Sequence, residues 1–178
     1  MEVAYYFNQI IIMNDWTRER FAHNIVHAMF DTLYGKKIAV LGFAFKANTG
    51  DTRESSAITV INYLLKEGAE INLYDPKVPE SQIFYDLEHY SNPSPKEYVE
   101  SHVKICKDPY EAAVNAHAIV LLTEWPQFKE IDYEKIYQSM MKPTFFFDGR
   151  NLINRDMLRK IGFCTYGIGV TPDKLSSF

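Results

Sequence analysis

The sequence predicts an α/β domain: a doubly wound parallel sheet of about six strands, preceded by a long helix. Three observations predict it. Short runs of apolar, β-branched and aromatic residues alternate with segments of helical periodicity along most of the chain. The run that opens the sheet, 36–41, ends in continuous apolar residues, as expected of a strand buried on both faces. This run opens through Gly42 and Gly50 into a helix, and beyond the carboxyl ends of such strands is where open α/β sheets bind ligands.

Residues 1–12 are apolar and aromatic, with Tyr5, Tyr6 and Phe7 in succession, and they open a helix whose body is 14–34. Phe21, Ile25, Ala28 and Met29 fall at helical spacing, with Leu33 one turn later. Arg18, Glu19 and Arg20 lie mostly off that stripe, and Gly35 is the expected stop. Such a helix is either a plain packing helix or one that needs a further surface. Residues 36–41 form the first strand, and 55–66 a helix with Ile58, Ile61, Leu64 and Leu65 facing inward. Asp51 and Thr52 are both candidates for its N-cap. Gly68 ends the helix, 70–74 is the second strand, and Asp75-Pro76 terminates it. This strand, helix and strand make a right-handed crossover.

Residues 78–95 carry Pro79, Pro93 and Pro95 and are expected to be an irregular connection with a short helix near 81–87. Residues 103–105 are the third strand, and 109–114 a helix with Asp108 as its cap and Pro109 at its first position. The most apolar run, 118–122, is the central fourth strand. A helix over 133–141 precedes Pro143, and 144–147 is the fifth strand, ending at Asp148-Gly149-Arg150. A short helix over 156–160 and a last strand over 163–166 complete a Rossmann-like sheet of order 3-2-1-4-5-6. The tail from 169 to 178 is expected to be loose.

The 178 residues suffice for one domain with a real core, and 47% hydrophobic content argues against disorder. A net charge of −4 speaks against a general nucleic-acid binder, so any phosphate site is local. No apolar run reaches the ~18 residues of a membrane helix, and the opening residues, with no basic region before an apolar core, are not expected to be a secretory signal. Two cysteines make neither a disulfide framework nor a metal cluster, and fit a reducing cytoplasm.

A strand running into a helix N-terminus turns backbone N–H groups outward and favours anions. The loop fits neither common phosphate fingerprint: residues 43–49 separate its glycines, Asp51 follows Gly50 where a lysine would be needed, and G-x-G-x-x-G is absent. At the reversal of strand order, Lys46, Arg53 and Arg150 share one rim. Lys46 is either a ligand contact or a solvated lysine. Arg53 is either a ligand contact or the partner of Asp51 or Glu54, and Arg150 either a ligand contact or a surface charge. Asp75 suggests a ribose ligand, but it lies beyond the usual spacing of ~20 residues from the glycines, and a turn-forming role is the better reading. Cys106 and Cys164 lack the setting of a nucleophile. His23 and His27 stand at i, i+4 without an intervening H-E-x-x-H glutamate and read as helix surface. Trp16 and Trp125 read as packing anchors, with Trp125 near the rim.

Gly-Phe-Ala-Phe-Lys at 42–46 and Asn-Thr-Gly-Asp-Thr-Arg-Glu-Ser-Ser at 48–56 resemble the opening loop of the UDP-binding domain of the UDP-glucose/GDP-mannose dehydrogenase family. The resemblance continues through Tyr-Asp-Pro-Lys-Val-Pro at 74–79, Lys-Asp-Pro-Tyr-Glu-Ala at 107–112, Thr-Glu-Trp at 123–125 and Phe-Asp-Gly-Arg at 147–150, and covers residues 10–168. It implies an oxidoreductase that uses NAD to oxidise the C6 alcohol of UDP-glucose twice, to the carboxylate. Phe45, Lys46 and Arg150 would contact the UDP-sugar, and Arg53 the cofactor pyrophosphate. The catalytic cysteine would lie in a part this chain does not contain, which makes the chain a fragment, inactive alone. The resemblance also assigns residues 1–35 to the end of an inter-domain helix that carries a homodimer or higher homo-oligomer contact, 36–168 to the UDP-sugar-binding domain and 169–178 to a tail. It favours UDP-glucose over GDP-mannose and UDP-N-acetyl sugars. A non-catalytic nucleotide-binding or dimerisation module is the alternative.

Overall fold

The computed structural model describes residues 2–170, with side chains from residue 5 onward. Six parallel strands form one sheet: β1 (Lys37–Leu41), β2 (Glu70–Tyr74), β3 (Val103–Ile105), β4 (Ala118–Leu121), β5 (Phe145–Asp148) and β6 (Cys164–Gly167). Their order is β3-β2-β1-β4-β5-β6, as the alternation of elements predicts. β1 sits between β2 and β4, with Leu41 level with Tyr74 on one side and Leu121 on the other, so the order reverses at the carboxyl end of β1. All four residues of β4 and all four of β5 are buried, as in a sheet covered on both faces.

The helices are α1 (Glu2–Ala28), α2 (Ser56–Lys66), α3 (Glu80–His89), α4 (Lys96–His102), α5 (Pro109–Ala113), α6 (Tyr133–Ser139) and α7 (Arg155–Ile161), with a 3-10 turn at Pro126–Glu130. α1 lays Phe21, Ala22, Ile25 and Val26 into the core and packs against α2. It ends at Ala28, not at Gly35: Phe30 and Asp31 take positive φ (67° and 55°), which turns the chain out of the helix while Leu33 still buries itself. The first half of α1 is different. Tyr5, Tyr6, Phe7, Ile10, Ile11, Ile12, Met13 and Trp16 are all exposed. Trp16 is therefore no packing anchor; it stacks under the guanidinium of Arg20 at 4.4 Å.

Two further expectations are corrected. The connection between β2 and β3 is more helical than its prolines suggest, because Pro79 and Pro95 occupy N-cap positions, where a missing N–H costs nothing. α2 is capped by neither Asp51 nor Thr52. Ser55 caps it, its Oγ accepting from the N–H of Ala57 at 3.2 Å. Asp108 caps α5 as expected, accepting from Glu111 N–H at 2.7 Å. Residues 171–178, most of the expected tail, lie outside the described residues. Among the described residues no helix is long and apolar enough to cross a membrane.

Gly42 is a position where the fold tolerates no side chain. It has φ +92°, and a Cβ there would lie 2.5 Å from Thr123 Cβ and 2.8 Å from the Thr123 backbone nitrogen. Gly42→Ala is therefore expected to destabilise the chain by about 3 kcal/mol, from left-handed strain plus a clash against backbone. Urea unfolding measures it; a loss under about 1 kcal/mol would contradict this geometry.

Candidate binding site at the reversal of strand order

The loop after β1 is pinned from three sides. The N–H groups of Phe43 and Ala44 donate to Asp75 Oδ2 at 2.7 and 3.1 Å, and the indole N–H of Trp125 donates to the same oxygen at 3.1 Å. Asp75 Oδ1 accepts from the N–H groups of Lys77 and Val78 at 2.9 and 3.0 Å. Asp75 thus forms the expected turn and also ties β2 to the loop. The second role was not visible in the sequence. With both oxygens taken, Asp75 is no ribose ligand here. Ser55 Oγ donates to Phe43 C=O and Thr123 Oγ1 to Ala44 C=O, both at 2.7 Å. Phe43 and Ala44 are buried by these contacts, and the chain emerges at Phe45, 44% exposed, and at the exposed Lys46.

Arg150 is not a loose surface charge. Its Nε donates to Leu122 C=O at 2.7 Å, and its NH2 reaches Phe45 C=O at 3.3 Å and Ser56 Oγ at 3.5 Å. Its Nε also stands 3.3 Å from Glu124 Oε2, a buried oxygen with no hydrogen bond, so this ion pair is that oxygen's partner. Glu124 Oε1 accepts a long bond from Ala47 N–H at 3.4 Å. The arginine therefore joins the end of β4, the loop after β1 and the start of α2, while Asp148 receives its backbone N–H at 2.9 Å. Its guanidinium is pre-oriented at small further entropic cost.

Arg53 pairs with Asp51: Nε and NH2 donate to the two carboxylate oxygens at 2.9 and 2.7 Å. This is the local alternative foreseen for it, yet its side chain remains 88% exposed and open to an anion. The side-chain hydrogen bonds from Arg53, then the bond from its backbone N–H, hold the Asp51 carboxyl down to about 2. The same pairing raises the pKa of Arg53.

Phe45 and Arg150 line one cavity of about 280 Å³ with Arg18, Phe21, Glu54 and Ser56. Arg53 lines a neighbouring cavity of about 570 Å³ with Arg18, Ser55 and Asp86. Lys46 lines neither. A further cavity of about 520 Å³ lies between α1 and the ends of β5 and β6, floored by Phe147 and Tyr166, and holds none of the four residues singled out from the sequence. Phe45 and Arg150 thus meet, Arg53 stands beside them, and Lys46 projects to solvent. α1 supplies a wall that sequence reasoning missed: Arg18 lies off the apolar stripe and so reads as helix surface, yet it is only 20% exposed.

The remaining candidates stay outside the chemistry. Burial pushes the Cys106 thiol up to about 11, opposite to what a nucleophile needs. His23 and His27 are exposed, His27 meeting Asp31 at 2.9 Å, and among the described residues no group of side chains could hold a metal ion. Trp125 is buried and braces the rim through Asp75.

The arrangement suits a ligand with phosphate groups and hydroxyls, offering three cations and a helix N-terminus beside an aromatic ring. Residues 39–155 match the sequence model of the UDP-glucose/GDP-mannose dehydrogenase family, UDP binding domain. UDP-glucose 6-dehydrogenase of Pongo abelii is 52% identical over 170 residues, covering 94% of this chain and 34% of the relative. The Drosophila melanogaster enzyme of the same name is 49% identical over 168 residues, covering 94% and 35%. Among solved structures, a UDP-glucose dehydrogenase from Pyrobaculum islandicum superposes with a TM-score of 0.60 at 25% identity, over 80% of this chain and 28% of that one. The chain spans about a third of the length of the curated relatives it matches.

Proposed function

The chain belongs to the UDP-glucose/GDP-mannose dehydrogenase family, and on that premise we propose that it is the nucleotide-sugar-binding part of an NAD-dependent UDP-glucose 6-dehydrogenase of the cytoplasm. The reaction is the two-step oxidation of the C6 alcohol of UDP-glucose to the carboxylate, with two NAD reduced. This chain's part is to bind and hold the sugar nucleotide, which lowers the barrier by fixing the reacting carbon. Lys46 and Arg150 meet the diphosphate and sugar hydroxyls, and Phe45 packs on the ligand. Arg53 suits the cofactor pyrophosphate, being exposed and next to the helix start. NAD supplies the hydride acceptor. The ribose carboxylate common in dinucleotide sites is not on offer, since five N–H groups occupy Asp75. Neither cysteine supplies a nucleophile, so catalysis proper belongs to a part this chain does not supply.

The observation that carries this reading is the Arg150 bracket, which joins Phe45 to the end of β4 beside a cavity at the reversal of strand order. The test is titration of the ¹⁵N-labelled chain with UDP, UDP-glucose and NAD. Weak UDP-glucose binding that perturbs Phe45, Lys46 and Arg150 is expected, with no NAD reduction by the chain alone. Tight NAD binding without any effect of UDP-glucose would point instead to a self-sufficient dinucleotide domain.

A second element of the reading is self-association. The exposed apolar residues at 5–16 surround the helix rather than forming one stripe, and a helix apolar all round is a buried one. We propose that this half of α1 is the contact of a homodimer or higher homo-oligomer. Sedimentation of the chain is expected to show a dimer or larger. Replacing Tyr6, Ile10 and Met13 by lysine should give a monomer, and a monomeric parent chain would refute the contact.

A further inference from the structure

Arg18 stands on α1 with most of its side chain buried. NH1 donates to Asp15 at 3.2 Å, and NH2 crosses to the loop and donates to the backbone C=O of Glu54 at 3.1 Å. The Glu54 carboxylate lies 3.9 Å away. Glu54 has φ 59°, a left-handed conformation that a glutamate disfavours and that persists only where surrounding contacts fix it. The turn it makes separates Arg53 from the capping residue Ser55, whose N–H closes the turn onto Thr52 C=O at 3.0 Å. Arg18 also lines both cavities of the candidate site, the one with Phe45 and Arg150 and the one with Arg53.

We propose that Arg18 is a positioning residue for ligand binding: it clamps the strained Arg53–Glu54 turn from the long helix, and so fixes where Arg53 emerges between the two cavities. The proposal rests on the reading above that Arg53 meets an anionic group of the ligands. An ordinary surface ion pair would not do this, because exposed pairs are mobile and contribute little. Here the side chain is only 20% exposed and its distant partner is a backbone carbonyl at a strained residue. The clamp links α1 to the start of α2 across 36 positions of sequence, so a shift of the long helix moves Arg53 with it.

The test is amide exchange by NMR on the chain, with three reporters: the N–H of Ser55, the N–H of Phe45, which donates to Asp51 C=O at 2.8 Å, and the Nε–H of Arg53. Arg18→Ala is expected to speed exchange at all three about tenfold, the factor that releasing one strained residue implies, while β4 amides stay unchanged. Glu54→Asn, a residue that tolerates φ > 0, should restore slow exchange in the Arg18→Ala background. A variant that folds only with Glu54→Asn supports the clamp equally. The proposal is overturned if Arg18→Ala leaves the reporters unchanged, if exchange rises equally through the sheet, or if Glu54→Asn restores neither exchange nor folding. A UDP titration of the unmodified chain separates the two readings: silence there refutes the nucleotide-sugar site and leaves the exchange data to decide the clamp.

Discussion

Arg150→Ala is expected to weaken UDP-glucose binding ten- to a hundredfold and to destabilise the chain by about 2 kcal/mol, the cost of one charge-assisted contact to ligand and of several internal acceptors left without a donor. The acceptors are Leu122 C=O, Phe45 C=O and the buried Glu124 Oε2. The stability figure is kept low because the Arg150 and Glu124 side chains are 30% and 38% exposed and water replaces part of what is lost. Arg150→Lys distinguishes charge from geometry. A lysine keeps the positive charge but cannot reach the end of β4, the loop and the ligand at once. Its affinity should fall between the other two. Calorimetry with UDP-glucose and urea unfolding read both effects. An alanine variant that binds normally would show that Arg150 is only a strut.

The largest loss of stability is expected at Asp75. Asp75→Ala leaves four backbone N–H groups and the Trp125 indole without their acceptor, which should cost about 3–4 kcal/mol even after water reaches the outer ones. Asp75→Asn keeps the shape but presents an NH₂ group to a ring of donors, and about 2 kcal/mol is expected. Both variants should release the Phe43–Ala44 segment and with it the presentation of Phe45 and Lys46. Urea midpoints, followed by Trp125 fluorescence, measure the stability. Asp75→Ala within about 1 kcal/mol of the parent would mean that the five bonds are not cooperative.

The sheet was legible because parallel strands need continuous apolar runs, and 118–122 or 38–41 can be little else. Pro109 after Asp108 announced the start of α5 for the same local reason. Helix ends set by tertiary contacts were not legible. Ser55 wins the cap of α2 because Phe43 C=O stands ready to receive its hydroxyl, a partner twelve positions away. The exit of α1 depends on two non-glycine residues in the left-handed region, which no composition rule flags. At the candidate site, the shared rim of Lys46, Arg53 and Arg150 followed from strand order, while Phe45 was singled out only by the family resemblance. What held them did not: the bracket of Arg150 spans 105 positions to Phe45, and the multiple roles of Asp75 and Arg18 appear only when the chain is closed.

The same stitching has a thermodynamic consequence. Gly42, Asp75, Thr123 and Arg150 come from four strand ends that meet only in the finished sheet, and each is bonded to a segment distant in sequence. No sheet that lacks any of β1, β2, β4 and β5 contains the site. A ligand that recognises it therefore binds the native state alone, and occupancy and folding become one linked equilibrium in which free ligand at a hundred times its dissociation constant adds about 2.7 kcal/mol to global stability. A ligand held at the rim would thus convert its own concentration into resistance of the whole domain to unfolding and proteolysis.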